Sequence, residues 1–233
     1  MTGTPRQLII FDCDGVLVDS EPISVAVLVE QLGAAGMAID SDEVYRRFLG
    51  RSLSAVIDAA REDFGLEIDE VFQSRMRANL YQRFRADLQP MAGVADAVDG
   101  LQAHGLCWCV ASSSQRERIE LSLTVTGLIS RFPDIFSATM VENGKPAPDL
   151  FLLAARTMGY EPRHCIVVED SPAGVAAAKA AGMKVFAFTG GGHAQGDTYL
   201  QALQALQPDA TFDAMAELLH LVAKADDRDG NRA

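Results

Sequence analysis

Basic residues are in short supply in this 233-residue chain: 20 Lys+Arg stand against 32 Asp+Glu, a formal net charge of −12. That balance disfavours broad binding to nucleic acid or to an anionic membrane surface, both of which reward clustered positive charge. Cysteine is scarce too, with four in all, and Cys13, Cys107, Cys109 and Cys165 each fall in apolar, strand-like stretches. They read as reduced, buried thiols. Cys107 and Cys109 share a strand face by the two-residue period, yet no second Cys/His pair at ligand spacing follows, so no zinc site is expected. No apolar run reaches the roughly 20 residues that a membrane helix needs. The early run LIIFDCDGVLV is broken by Asp12 and Asp14, unlike a secretory signal. Repeats and low-complexity segments are also missing. A soluble, cytoplasmic protein is expected, without nucleic-acid or membrane partners.

What is present is a globular composition, 48% hydrophobic, at a length that admits one domain with a large insertion or two domains. Gln7–Asp12 is a continuous apolar run suited to a strand buried on both faces. Leu106–Ser112, His164–Glu169 and Met183–Phe188 repeat the pattern, and Ala210–Phe212 adds an edge. Helical periodicity separates these runs at Val94–His104, Gln115–Thr124, Asp149–Met158 and Pro172–Ala181. The alternation predicts an α/β fold, a doubly wound parallel sheet of Rossmann-like form.

Asp19–Gln89 reads differently. It has helical periodicity and no strand, with helices expected at Pro22–Gly36, Asp42–Leu49, Leu53–Phe64 and Ile68–Arg85. Asp40 followed by Glu43 fits an N-cap with its partner. The expected organisation is therefore a core of residues 1–18 and 90–233 interrupted by an all-helical unit, 19–89. Asp226–Ala233 reads as a frayed tail.

In a parallel sheet, ligands gather beyond the carboxyl ends of the strands. The first strand delivers Asp12-Cys13-Asp14-Gly15 there, the second Ser112-Ser113-Ser114, and the third Glu169-Asp170-Ser171. Lys145 lies in the proline-stiffened loop NGKPAPD. Each piece has a bland reading. D-x-D-G suits a turn, the serines suit a helix cap, and Lys145 suits a solvated surface. Four polar clusters in order at corresponding strand ends are harder to dismiss. His193, after Gly190-Gly191-Gly192, reads as a bystander, and Trp108 and Phe11 as core.

DCDGVLVDSE, VASSS, GKPAPD and VVEDSPAG resemble, in order, the four motifs of the haloacid dehalogenase (HAD) superfamily, and Asp19–Gln89 resembles its helical cap. Within it the chain is similar to the sugar-phosphate phosphatase and beta-phosphoglucomutase-like branch. The resemblance implies that Asp12 is the nucleophile, forming an aspartyl-phosphate, and Asp14 the general acid/base. It implies Mg²⁺ held by Asp12, Asp170 and the Asp14 backbone carbonyl, with Glu169 acting through water. Lys145 would neutralise charge and Ser112 would hydrogen-bond the phosphoryl group, with Ser113 and Ser114 beside the substrate. Asp14 separates the chain from the superfamily's dehalogenases and argues for phosphoesters.

The expected helical unit holds eight of the sixteen arginines and no lysine. Arg51, next to Gly50 in an expected turn, is the candidate for touching substrate, because a guanidinium fork suits a carboxylate or second phosphate. The reading is thus an Mg²⁺-dependent phosphatase, monomeric or weakly dimeric, acting on a small sugar phosphate such as 6-phosphogluconate. One alternative is a beta-phosphoglucomutase: Ser114-Gln115 sits where the mutases place a phosphate-binding Ser-Lys pair, though Gln115 carries no charge, and the chain departs at Ser24, where a histidine would be expected, and around Gly50-Arg51-Ser52. Another is a non-catalytic sugar-phosphate-binding protein.

Overall fold

A computed structural model describes residues 7–37, 39–40, 43–44, 61–62, 65, 68–194 and 197–230, without the side chains of 197–198 and 226–230. Strand β1 (Leu8–Phe11) is buried at every residue, which a four-residue run of Leu, Ile, Ile and Phe requires. It is followed by α1 (Glu21–Ala34) and α2 (Glu70–Asp87), then α3 (Val94–Ala103), β2 (Cys107–Ser112), α4 (Arg116–Val125) and β3 (Ile135–Ser137). The chain continues through α5 (Asp149–Met158), β4 (Cys165–Glu169), α6 (Pro172–Ala180), β5 (Lys184–Phe188), α7 (Asp197–Ala205), β6 (Ala210–Phe212) and α8 (Leu218–Gly230). The six strands form one parallel sheet in the order β3-β2-β1-β4-β5-β6. The order reverses at β1, the crevice where such sheets bind ligands.

Side-chain alternation divides the core in two. Ile9, Phe11, Val110, Ile166 and Val168 face one way and pack with Val94, Val98, Leu101, Ile119 and Leu123 of α3 and α4. Leu8, Ile10, Cys109, Val167 and Val185 face the other way, against Leu150, Phe151 and Ala154 of α5 and Val175 of α6. Each fully buried Leu, Ile or Phe contributes about 1.5–3 kcal/mol by leaving water. Cys107 packs on the same side as Cys109, as the strand period predicts. All four cysteines are free.

The doubly wound α/β sheet agrees with the sequence reading, with corrections. β3 was not expected; its three residues follow Pro133 and carry too little pattern to announce a strand. α7 and α8 were not expected either, and α8 runs to Gly230, so the helix includes much of the segment read as a frayed tail. Trp108 is only half-buried, its indole N–H donating to the Arg131 carbonyl at 2.8 Å.

Between Glu21 and Asp87 the described secondary-structure elements are helical, with a small core of their own built from Val25, Leu32, Met37, Ile39, Val44, Ile68 and Phe72. Asp69 caps α2 by accepting from Phe72 N–H at 2.7 Å, and Asp40 accepts from Glu43 N–H at 2.8 Å. The outgoing and returning chains are tied together: Asp19 N–H donates to the Gln89 carbonyl and Met91 N–H to that of Leu17, at 3.0 and 2.9 Å. Most of the helices expected at Asp42–Leu49 and Leu53–Phe64, together with Gly50 and Arg51, lie outside the described residues.

Candidate active site

β1 hands the chain to a tight turn at its carboxyl end. Gly15 has φ of +78°, and a Cβ there would collide with the Asp170 carboxylate and the His193 ring. Only glycine fits both the backbone and the space. The turn holds Asp12, 6% exposed, at the floor of a cleft of about 320 Å³.

Lys145 reaches that floor from the loop before α5. Its ammonium donates to Asp12 Oδ1 at 2.6 Å, Glu169 Oε1 at 2.8 Å and the Ala111 carbonyl at 3.1 Å, with 3% of the side chain exposed. Burial alone would lower its pKa, but Asp12 and Glu169 outweigh that and raise it. Lys145 is a fixed cation, and the solvated-surface reading fails.

The acids around it are more numerous than one lysine can balance. Ligand oxygens of Asp12, Glu169 and Asp170 lie within 4.8 Å of one another, all on buried residues. Burial raises the Asp12 pKa most, and Glu169, Asp170 and Asp14 add to it against the pull of Lys145. Asp170 is raised likewise, by burial and then by Glu169. Such a cluster of oxygen donors, short of positive charge, suits a hard divalent cation. Both Glu169 oxygens are already engaged: Oε1 by Lys145, Oε2 by Ser171 N–H at 2.6 Å and its hydroxyl at 2.9 Å. Asp12 and Asp170 are thus the better-placed ligands.

Asp14 sits in a separate nest of donors. Ser20 Oγ donates to its Oδ1 at 2.6 Å, Ser114 Oγ to its Oδ2 at 2.6 Å, and Arg118 Nη2 to Oδ1 at 2.8 Å. Burial would raise this carboxyl, but Arg118 and the two hydroxyls outweigh it and lower the pKa. In this arrangement Asp14 is a carboxylate.

The expected serines are present at the end of β2. Ser112 is buried and accepts from Ser114 N–H at 3.1 Å; Ser113 is exposed and lines the cleft. They do not cap α4, whose N-cap is Gln115 without a side-chain bond. Ser24 lines the cleft, its hydroxyl 3.2 Å from Arg118 Nη2.

Two residues passed over in the sequence belong here. Arg118 has its guanidinium 5.3 Å from the Phe84 ring centroid and so links α4, α2 and Asp14. Its position four residues after Ser114, on the helix that leaves the cleft, was the available signal. His193 is no bystander: Nε2 lies 2.7 Å from Asp170 Oδ2, and 1% of the side chain is exposed. Burial lowers its pKa. The signal was its position after β5, at the same sheet end as the motifs. Tyr199 supports the same corner, its hydroxyl donating to the Asp170 carbonyl at 2.7 Å.

Comparison with known proteins gives a consistent picture. The pattern of the family described as haloacid dehalogenase-like hydrolases matches residues 9–188. The 6-phosphogluconate phosphatase of Escherichia coli K12 is 31% identical over 189 residues, 80% of this chain and 84% of that one. Hexitol phosphatase B of the same organism is 31% identical over 186 residues, 78% and 84% of the two chains. Among solved structures, a conserved haloacid dehalogenase-like protein of unknown function from Agrobacterium tumefaciens str. C58 superposes with a TM-score of 0.81 at 33% identity, covering 94% of this chain and 98% of that one.

Proposed function

The chain belongs to the haloacid dehalogenase-like hydrolase family and is a phosphoric monoester hydrolase, and from that premise we propose that it is an Mg²⁺-dependent phosphatase of small sugar phosphates working through an aspartyl-phosphate. The observation that carries the reading is the Asp12 carboxylate, held 2.6 Å from the Lys145 ammonium and within 4.8 Å of the Glu169 and Asp170 oxygens. Relatives named as phosphatases of 6-phosphogluconate, hexitol phosphate and fructose 1-phosphate support the substrate class. The helical residues within 19–89 act as a cap over the core in this reading. The ties between Leu17–Asp19 and Gln89–Met91 serve as its stem.

Asp12 attacks phosphorus in line while Lys145 offsets the repulsion between the carboxylate and the phosphoryl oxygens. Asp12, Asp170 and the Asp14 carbonyl would hold Mg²⁺, whose chemistry there would be neutralisation of phosphoryl charge. Glu169 fixes Lys145 and Ser171. Ser112 donates to a phosphoryl oxygen; Ser113 and Ser114 border the substrate. Asp14 protonates the leaving oxygen and then takes the proton of the attacking water. Its present partners all stabilise the carboxylate, so it must turn off them and take up a proton from solvent before it acts as the acid.

Incubation with Mg²⁺ and a sugar-phosphate panel tests this, with both free phosphate and isomerised sugar phosphate measured. Phosphate release supports hydrolysis; isomer without phosphate indicates the mutase; no turnover of any phosphoester indicates a non-catalytic binder.

A further inference from the structure

Helix α2 turns one face to the cleft. Gln73, Met76, Arg77, Leu80 and Tyr81 recur at helical spacings of three and four, and all five line it. The other described arginines of this helix point elsewhere or to solvent. Arg75 Nε donates to Gln31 Oε1 at 3.2 Å, Arg83 pairs with Glu30 at 2.7 Å, and Arg85 is exposed. Arg77 is half-buried and, among the described residues, has no hydrogen bond or ion pair.

Its surroundings make that unusual. Val25, Leu28, Met76 and Leu80 line the same cleft, and a half-buried cation there gives up part of its hydration without recovering a hydrogen-bond or ion-pair partner. Arg118, the second guanidinium of the cleft, is already committed to Asp14 at 2.8 Å. Lys145 is committed to Asp12 and Glu169. Glu21 lines the cleft too, but its field is felt at Asp170, His193 and Arg118, on the floor. Arg77 is the cation left uncommitted in the described cleft, and it lies on the helical wall rather than with the phosphoryl machinery of the strand ends.

We propose that Arg77 receives a second anionic group, carboxylate or phosphate, at the end of the substrate remote from the phosphate being cleaved. The planar fork pairs with either oxyanion through two N–H donors, which a neutral hydroxymethyl group cannot reproduce. The preferred substrates are then phosphorylated sugar acids or sugar bisphosphates rather than neutral sugar monophosphates. A cleft of about 320 Å³, at the small end of ligand sites, fits molecules of that size. This inference rests on the phosphatase reading. It places a selecting residue on the face of α2, whereas Arg51, which the sequence suggested, lies outside the described residues.

The test uses the full chain with Mg²⁺ and two matched pairs: gluconate 6-phosphate against glucitol 6-phosphate, and fructose 1,6-bisphosphate against fructose 6-phosphate. The native protein favours the anionic member of at least one pair. Arg77→Ala and Arg77→Gln each reduce that preference in kcat/KM by about tenfold or more, mainly through KM. Arg83→Ala, on the face bound to Glu30, leaves the ratio unchanged. Loss in one pair only identifies the oxyanion. A preference that survives both Arg77 variants, or no preference in either pair, overturns the proposal. If the native protein releases no phosphate from any compound, the phosphatase reading fails instead. Calorimetric binding of the same pairs to Asp12→Asn, with and without Arg77→Ala, then decides the role of Arg77 by the same ratio.

Discussion

Arg118 donates to Asp14 Oδ1 at 2.8 Å across 104 positions of sequence, with 23% and 14% of the two side chains exposed. The pair joins the first helix after β2 to the turn after β1, and the same guanidinium rests against Phe84 of α2. It therefore connects the proposed acid/base to the helical residues above the sheet. Arg118→Met leaves a mostly buried carboxylate without its cation. A loss of about 3 kcal/mol in urea-unfolding free energy is expected, the lower end for breaking a buried pair. Hydrolysis falls at least tenfold as Asp14 loses its orientation. Unchanged stability would show that Ser20 and Ser114 suffice to hold Asp14.

Lys145 has a heavier role. Lys145→Met removes the cation from between Asp12 and Glu169, and turnover should drop by about 10²–10³ or more, the scale for losing one fixed charge-stabilising donor. Addition of Mg²⁺ should raise the unfolding temperature of this variant, because a divalent cation offsets part of the same repulsion. Calorimetry with and without chelator measures both terms.

The acidic cluster makes a directional prediction about pH. Burial raises the pKa values of Asp12 and Asp170 above those of the unfolded chain. A group raised on folding contributes stability that is complete below its unfolded pKa and lost as pH rises through its folded value. In chelator, stability should therefore fall as pH rises from about 4. Asp14, lowered on folding, acts in the opposite sense and costs stability only below that range. Mg²⁺ should add more stability at pH 7.5 than at pH 5, with about 2.7 kcal/mol expected at a hundredfold excess over Kd. Asp170→Asn should abolish most of that increment. Unfolding curves at the two pH values, with Mg²⁺ or chelator, measure it.

Gly15 is the backbone counterpart. Gly15→Ala asks a Cβ to occupy space held by Asp170 and His193, at a positive φ. Hydrolysis should fall below a hundredth of the native rate, and stability by about 1–3 kcal/mol for the strained backbone alone. Gly144→Ala, where a Cβ would meet nothing within 4 Å, is the control for stability.

Much of this was legible in the sequence, for reasons that individual residues make plain. Asp12, Asp14, Ser112, Lys145, Glu169 and Asp170 all lie at strand ends or in the loops between, where the alternating pattern fixes the side of the sheet they reach. Asp149–Met158 follows from its period alone and is reproduced at both ends. The misses are residues whose meaning comes from distant partners. Arg118 sits in RERIEL, which reads as a solvated helix until Asp14 and Phe84 are placed against it. His193 follows three glycines and looks idle until β5 brings it to Asp170. Arg77 is one arginine among eight in its segment, and only the face shared with Gln73, Leu80 and Tyr81 sets it apart. β3 fails for a simpler reason: three residues carry too little periodicity to register.

The account stands or falls on Asp12 as the group that takes the phosphoryl. The direct measurement is mass spectrometry of the protein mixed with Mg²⁺ and gluconate 6-phosphate, then quenched in acid within milliseconds to trap an acyl phosphate. The prediction is one phosphoryl group on the peptide containing Asp12, gone in Asp12→Asn together with phosphate release. Phosphate released at the native rate by Asp12→Asn, or a phosphoryl group trapped on any other residue, would contradict it.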